Sequence, residues 1–218
     1  MRLFDSQLAI ENVWFVLSGL RYTLGIALVS FILGLCLGVL VALMRLSSIR
    51  IFQMAAKLHV SFMRGTPTIV FLFLLYFGLP YLGIQLSAIV CSILCFSIAS
   101  SAYISEIVRS SLLAVDGGQA EAAISLGLPY HLVLSKVLLP QAFRIAVPPL
   151  SNVLLDLIKG TSLTAMITVP DIFQNAKIVG GREFDYMTMY ILVALIYWGI
   201  CIVFEKFQAI LEGKMVLK

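Results

Sequence analysis

The segment Tyr22–Met44, YTLGIALVSFILGLCLGVLVALM, contains no charged residue over 23 positions and is flanked by Arg21 and Arg45. A helix needs about 20 apolar residues to cross roughly 30 Å of bilayer hydrocarbon, so this segment is long enough for one membrane span. The rest of the chain has the same character, because 61% of its 218 residues are hydrophobic and 12% are charged. Soluble domains carry about 25% charged residues. The composition therefore excludes a soluble globular domain.

Further uncharged runs predict four more spans. Thr66–Ser105 lacks Asp, Glu, Lys, Arg and His over 40 residues, which is enough for two helices, and Gly78–Gly83 supplies a turn near its middle. Tyr186–Phe204 is an uncharged run of 19 residues. Ile145–Pro170 is interrupted by two charged residues and a glycine, which is allowed where that part faces protein or water. The prediction is an all-α integral membrane protein of five transmembrane helices, at about 20–44, 66–81, 86–108, 145–170 and 186–205.

Lysine and arginine are distributed unevenly between the alternating loops. One side receives ten cations: Arg45, Arg50, Lys57, Arg64, Arg109, Lys136, Arg144, Lys206, Lys214 and Lys218. The other side receives four: Arg2, Arg21, Lys177 and Arg182. The positive-inside rule makes the first side cytoplasmic and predicts an N-out, C-in orientation. Residues 1–18 are then an extracytoplasmic amphipathic lead-in without the pattern of a signal peptide.

The longest cytoplasmic loop, at about 109–144, contains a spaced motif. It reads Glu121-Ala122-Ala123, three residues, Gly127, nine residues, then Val137-Leu138-Leu139-Pro140. Gln119–Leu126 consists mostly of good helix formers, and a glycine in the position of Gly127 ends a helix as a C-cap. Pro129 and Pro140 are expected to bound a second short helix, Tyr130–Leu139. A small-residue helix with one carboxylate can insert into a groove on a partner protein.

This motif resembles the EAA loop of ABC-transporter permeases, with Val137 where that family has Ile. The resemblance runs from about Gly19 to Gly213, a region that resembles the ABC type-1 permease domain of importers. Further segments look like the polar amino-acid uptake branch, the histidine/glutamine permease family. They are Arg64–Pro67, Tyr76–Gly78, Tyr103–Arg109 and Leu157–Leu163. Two positions depart from it: Gly160 stands where Asp is commoner, and Gly117 replaces a commoner basic residue.

The resemblance implies a multi-pass subunit of the bacterial cytoplasmic (inner) membrane that imports a polar amino acid, of which cystine is one candidate. Such permeases pair as homodimers or heterodimers, bind two ABC ATPase subunits and receive substrate from an extracytoplasmic solute-binding protein. The chain contains no G-x-x-x-x-G-K-[ST] phosphate loop. ATP is accordingly expected on the partner ATPase, with no cofactor on this chain and no catalytic residue of its own.

Span four offers the polar chemistry of a substrate pathway. Asn152, Asp156 and Lys159 recur at i, i+4 and i+7 and share one helix face, followed directly by Thr161 and Ser162. An amino acid presents an ammonium and a carboxylate, which Asp156 and Lys159 would complement. In the alternative interpretation these two residues pair with each other and hold a neighbouring helix or the dimer.

Three other charged residues are expected to have supporting roles and not to bind substrate. Glu106 and Arg109, three apart, are expected to form a local ion pair or to contact the loop, and Arg64 is expected to anchor on headgroup phosphates or a loop carboxylate. Metal binding is not expected, since His59 and His131 fall in different loops without cysteines or carboxylates at ligand spacing.

Two other functions compete with the importer subunit. A stand-alone secondary amino-acid transporter or channel would also explain the spans and their charges, but it leaves the EAA-type loop unexplained. An intramembrane protease needs a nucleophile and base, or two aspartates, at membrane depth. Asp156 is the sole aspartate of the predicted spans and both histidines lie in loops, so the protease is disfavoured.

Overall fold

The computed structural model describes residues 3–215, all of whose regular structure is helical. Arg2 and Lys218, two of the cations in the orientation prediction, lie outside the described residues. The helices follow in the order α1 (Ser6–Leu17), α2 (Leu20–Leu46), α3 (Arg50–Gly65), α4 (Thr68–Phe73), α5 (Ala88–Leu113), α6 (Gly117–Ser125), α7 (Tyr130–Leu132), α8 (Leu139–Gly160), α9 (Ile172–Glu183) and α10 (Tyr186–Met215).

The long apolar helices match the predicted fold class. Four stretches of the described chain are long and apolar enough to cross a membrane: Leu20–Leu46, Ala88–Leu113, Tyr130–Ile167 and Tyr186–Ile210. A fifth span results when the bent pair formed by Arg50–Gly65 and Thr68–Leu82 is counted as one. The all-helical membrane fold is confirmed, and the N-out orientation stays a prediction.

The bent pair begins with a helix, α3, that occupies most of the predicted loop between spans one and two. Its axis makes an angle of 104° with the stretch that follows. The cause is local, since Pro67 disfavours helical backbone at the preceding residue, and Thr66 is extended with φ −103° and ψ 131°. After this corner α4 continues as a π turn, Leu74–Gly78, and a 3₁₀ turn, Leu79–Leu82.

The central bundle is built on α2 and α5, which run parallel, since Ser30 meets Ile93 and Arg45 meets Glu106, and which are in contact along much of their length. Close to the middle of α2, the hydroxyl of Ser30 donates to the Ile93 carbonyl at 3.4 Å. Near the C-terminal end of α2, Arg45 forms an ion pair with Glu106 of α5. α8 lies against α5, and the three helices share a buried apolar core with α4 and the segment after α8. This packing fixes the depth at which each polar residue of α5 and α8 lies.

A second, smaller core joins α1, α9 and α10 at the opposite end from the Arg45–Glu106 pair. It is centred on Val16, Ile172 and Met189. The amide of Asp5 donates to the Thr188 hydroxyl at 2.9 Å, and the Asn175 amide donates to the Phe15 carbonyl at 2.9 Å. The predicted lead-in is thus a helix that packs on the chain's own C-terminal half.

Candidate functional site

The loop motif lies on α6, a helix whose N-terminus is capped by Asp116. The Asp116 carboxylate accepts from the Gly118 amide at 2.8 Å. On α6, Glu121 and Ala122 are exposed, whereas Ala123 is buried. Leu126 just beyond α6 is 82% exposed. An exposed carboxylate and small side chain next to an uncovered leucine form a surface suited to a partner protein.

Gly127 ends α6 in the way its sequence position predicts. Its φ is +83°, a backbone conformation that favours glycine. The amide of Leu128 donates to the Ala123 carbonyl at 3.2 Å, and the amide of Gly127 donates to the Ile124 carbonyl at 2.9 Å. These two bonds are the paired contacts of a Schellman motif. Gly127 therefore sets the direction in which the chain leaves the motif helix.

The predicted end of a second short helix at Pro140 is wrong. The chain stays helical from Tyr130 through the π turn Val133–Leu138 and continues into α8. Pro140 lies in the first turn of α8, directly after this π turn. Proline is tolerated where a helix already departs from regular i→i−4 pairing. The loop after Gly127 is consequently joined to span four by one continuous helical run.

The polar face predicted for α8 is present. Asn152, Asp156 and Lys159 are all exposed in the single chain. The Lys159 ammonium lies 2.8 Å from an Asp156 carboxylate oxygen, and the Asp156 side chain is 74% exposed. The two charges pair with each other, and both remain accessible from the surface of α8.

A cavity of about 300 Å³ opens between α4, α5 and α8. Of the predicted pathway residues, Asp156 lines it; Asn152, Lys159, Thr161 and Ser162 are not among its lining residues. The residues that face Asp156 across this cavity include Thr68, Ser100 and Tyr103, none of which was predicted as a pathway residue. Tyr103 belongs to a family-like segment, but its spacing gave no sign that it faces α8.

Thr161 and Ser162 bond to the turn before them. The Thr161 hydroxyl donates to the Ile158 carbonyl at 2.7 Å, and the Ser162 hydroxyl donates to the Lys159 carbonyl at 2.8 Å. At Thr161 the α-helix tightens into a 3₁₀ helix that ends at Ile167. Thr161 is fully buried.

Asp171, the residue directly after the predicted span four, is a buried carboxyl. It lies between the stretches Tyr130–Ile167 and Tyr186–Ile210 and is fully buried. One carboxylate oxygen accepts from the Gln174 amide at 2.7 Å and caps α9, while the other accepts no hydrogen bond from the described residues. Burial raises the pKa of Asp171 to about 7, against the opposing effect of the backbone amides and Lys177. The pattern Asp-x-x-Gln, typical of a helix N-terminus, is the signal that could have identified it.

The charged residues at the end of α5 make a network that spans two helices. Glu106 pairs with Arg109, as predicted, and also with Arg45 of α2. The guanidinium of Arg64 lies 5.6 Å from the centre of the Tyr103 ring. Glu106 therefore ties the cytoplasmic ends of α2 and α5 together, as the predicted orientation defines those ends.

The geometry by itself defines a class of protein. A helical membrane bundle carries a charged cavity, and one continuous helical run connects that cavity to an exposed, capped loop helix. Such an arrangement suits a transport subunit that a partner protein moves. The chain belongs to the family described as "Binding-protein-dependent transport system inner membrane component", whose model matches residues 34–217.

Named relatives agree with this family. The chain is 55% identical over 212 residues to the "Probable amino-acid ABC transporter permease protein YckA" of Bacillus subtilis (strain 168), covering 97% of this chain and 94% of that protein. It is 38% identical over 207 residues to the "L-cystine transport system permease protein TcyB" of the same organism, covering 94% and 88% of the two chains.

Solved structures agree as well. A chain of the "Crystal structure of an amino acid ABC transporter with histidines" matches with a TM-score of 0.92 and 32% identity, over 98% of this chain and 100% of that one. An inward-facing structure of the MetNI methionine ABC transporter matches with a TM-score of 0.68 and 20% identity, over 91% and 97% of the two chains. The latter shows likeness of fold alone.

These findings identify the protein as a permease subunit of an ABC transporter and a multi-pass inner-membrane component. The recognition made from the EAA-type loop is confirmed. The alternative of a stand-alone secondary transporter or channel is not supported. As a permease subunit, the chain is a transport component.

Proposed function

We propose that this chain forms half of the translocation pathway of an ATP-driven importer for a polar amino acid. A second permease subunit, two ATPase subunits that bind the ATP, and an extracytoplasmic solute-binding protein complete the transporter. The observation that carries the proposal is the exposed α6 helix, whose Glu121 and Ala122 remain uncovered beside Leu126. Exposed residues of this kind at the end of a membrane bundle are suited to an ATPase groove.

The substrate class follows from the cavity and the relatives together. Asp156 faces the cavity and Lys159 lies one turn away on the same helix face. These charges complement the ammonium and carboxylate that every amino acid carries. L-cystine is the first substrate to test, since the cystine permease of Bacillus subtilis covers nearly the whole chain at 38% identity.

The mechanism of coupling depends on the continuous helical run. Closure of the ATPases would move α6, whose exit direction is fixed by Gly127. The run from Tyr130 to Gly160 would transmit that motion to Asp156, because a helix is stiff along its axis. The cavity between α4, α5 and α8 would then open to alternate sides of the membrane.

The test is purification of this chain, expressed with its native genomic neighbours, in mild detergent. An ATPase that stays bound and whose hydrolysis is stimulated by a solute-binding protein with L-cystine supports both the importer and the substrate. Stimulation by another amino acid alone overturns the cystine assignment and keeps the importer. A lone permease that transports in liposomes without ATP overturns the proposal.

Asp156→Asn tests the substrate pathway. If Asp156 contacts the substrate ammonium, the Michaelis constant of uptake should rise about tenfold, because a hydrogen bond to a charged group contributes roughly 1.5 kcal/mol. The double variant Asp156→Asn, Lys159→Gln should keep the raised constant. If the pair only holds the fold, the double variant should instead restore normal uptake, since neither charge is left without a partner. Unchanged kinetics in the single variant would remove Asp156 from the pathway.

A further inference from the structure

Helix α3 presents three different surfaces around its circumference. Arg50, Lys57 and Arg64 follow one another at intervals of seven residues, so each lies only about 20° around the helix from the one before. All three are exposed. They form a basic stripe along the whole length of the helix.

The other two surfaces are apolar. Ala56 and Val60 are buried against the bundle. A separate stripe of large apolar side chains is open: Ile51 is 73%, Met54 69%, Leu58 72% and Phe62 49% exposed. At 100° per residue, the apolar stripe is centred roughly 175° from the bundle face, and the basic stripe lies between them, about 105° from the apolar stripe and about 80° from the bundle face. A helix divided in this way fits a boundary between hydrocarbon and water along one side of a protein.

The contacts of α3 place it at the depth of such a boundary. His59 Nε2 lies 2.9 Å from the Ser101 hydroxyl, and Arg64 lies over the Tyr103 ring. On α5 these residues precede Glu106, which pairs with Arg45 at the end of α2. With a rise of 1.5 Å per residue, α3 lies roughly 5–8 Å from that ion pair towards the middle of the bundle. Interfacial helices lie about 5–10 Å into the boundary of headgroups and acyl chains.

The charge of α3 is uncompensated within the described part of the chain. The helix contains no Asp or Glu. None of the ion pairs among the described residues involves Arg50, Lys57 or Arg64. Long basic side chains can extend from this depth to the headgroup level. Their natural complement there is a phosphate.

We propose that α3 is an interfacial helix that binds anionic phospholipids, with Ile51, Leu58 and Phe62 among the acyl chains and the Arg50, Lys57 and Arg64 stripe on the headgroup phosphates. This binding reaches the transport pathway through a short connection. Two residues, Thr66 and Pro67, separate α3 from α4, and Thr68 at the start of α4 lines the Asp156 cavity. Anionic lipid bound to α3 thus fixes the position of the turn at Thr66 and Pro67, and with it α4, which forms one wall of the cavity.

The first experiment reads lipid contact directly at α3. In the full-length chain, Trp14 and Trp198 are replaced by Phe, and Phe62→Trp supplies a single fluorescent reporter on the apolar stripe. The protein is reconstituted in dioleoylphosphatidylcholine with added brominated lipid. Brominated phosphatidylglycerol should quench the reporter with a binding constant above that of brominated phosphatidylcholine, by roughly fivefold for each engaged cation. A second protein keeps the native Trp198, 65% exposed on α10, as its single tryptophan. This reference should show no preference between the two lipids.

The matched variants separate the basic stripe from charge in general. Arg50→Gln with Lys57→Gln should reduce the phosphatidylglycerol preference at the α3 reporter more than fivefold. Lys136→Gln with Arg144→Gln removes two exposed cations elsewhere on the predicted cytoplasmic side and should leave the preference unchanged. Arg50→Lys with Lys57→Arg should also retain it. Arg64 is kept in all of these proteins because it contacts Tyr103.

Three outcomes overturn the proposal. Equal quenching of the α3 reporter by the two lipids means that the stripe does not select anionic headgroups. Equal loss of preference in the control pair means that net charge, not α3, attracts the lipid. An absence of quenching by either lipid means that another protein subunit covers α3. None of these readouts depends on the identity of the transported amino acid.

Discussion

At the scale of single residues, the backbone conformation of Gly127 restricts substitution, whereas the space around it does not. Its φ is +83°, yet a Cβ added there would meet nothing within 4 Å. A side chain at this position is therefore disfavoured by conformation and not by crowding. The left-handed backbone costs an ordinary L residue about 1–2 kcal/mol, while Asn tolerates it better.

We predict that Gly127→Ala uncouples transport partly while Gly127→Asn retains it. In the alanine variant the end of α6 should relax away from its left-handed turn and change the direction of the chain that follows. The measurement is substrate-stimulated ATP hydrolysis by the assembled transporter, with membrane insertion as the control. Equal stimulation in the two variants would show that this turn does not direct the coupling helix.

The raised pKa of Asp171 should make the stability of the protein depend on pH. Its pKa is about 7 in the folded protein against an ordinary value of 3.8. The folded state then holds a proton that the unfolded state has lost between these values, so the free energy of unfolding falls as pH rises through this window. The slope of this contribution is at most about 1.4 kcal/mol per pH unit. Burial is the main cause, and Lys177 and Tyr197 are the titratable groups that interact with this carboxyl.

Comparison of wild type with Asp171→Asn isolates this effect. Between pH 5 and 7 the thermal midpoint in detergent should fall more steeply for wild type than for the variant, which cannot ionise at this position. Other groups titrate alike in both proteins and cancel in the difference. Parallel profiles would mean that the Asp171 carboxyl is already ionised at pH 5.

At the scale of elements, two glycines allow α2 and α5 to approach closely. A Cβ on Gly34 would lie 2.2 Å from the Ser100 hydroxyl, and one on Gly38 would lie 2.6 Å from the Ile104 side chain. Small residues four apart are a common means of close packing between membrane helices. The Gly34-x-x-x-Gly38 pattern in the sequence is therefore a true packing motif here.

Gly38→Ala should destabilise the bundle, and Gly25→Ala on the same helix should not. The first substitution forces the two helices apart, because the added Cβ would lie 2.7 Å from the Cβ of Ile104, which no rotamer change can move. The cost is roughly 1–3 kcal/mol. The second meets nothing within 4 Å and removes a glycine from a helix interior, which stabilises by up to about 1 kcal/mol. Thermal midpoints in detergent should move in opposite directions. An increase in both would show that α2 and α5 are more loosely packed than this interface implies.

At the scale of the whole molecule, the proposed coupling makes the cavity change its access. Tyr103 lines the cavity and is 46% exposed. In a protein with Cys36 and Cys201 replaced by Ser, a cysteine placed by Tyr103→Cys should react with a water-soluble thiol reagent. Trapping the assembled transporter with ATP and vanadate should change that rate at least several-fold, because the cavity closes on one side.

Lys206→Cys is the control for this measurement. Lys206 is exposed on α10 and does not line the cavity, so its labelling rate should stay constant on trapping. A change of equal size at both positions would indicate a general effect of the trapped complex. An unchanged rate at Tyr103→Cys would contradict movement of the cavity wall.

The membrane fold class, the loop motif and its glycine cap could all be predicted from local sequence. These are local properties, because the length of an uncharged run decides whether a helix can span a bilayer, and a glycine ends a helix through its own backbone freedom. The i, i+4, i+7 spacing likewise placed Asn152, Asp156 and Lys159 on one face. Pro140 was misjudged because a single-residue signal cannot anticipate the π turn before it.

Which of these residues meet depends on how the helices pack against one another. Arg45 pairs with Glu106 across 61 positions of sequence, and Asp5 contacts Thr188 across 183. Tertiary packing also placed Asp156 at the cavity, buried Thr161 and Asp171, and packed α3 against α2 and α5. The length of the uncharged runs fixes how many helices can cross a membrane. The hydrophobicity of an apolar helix, however, is nearly the same on all its faces and does not select a neighbour. Which faces touch is therefore set by small residues and shape, and these act only once the helices have assembled.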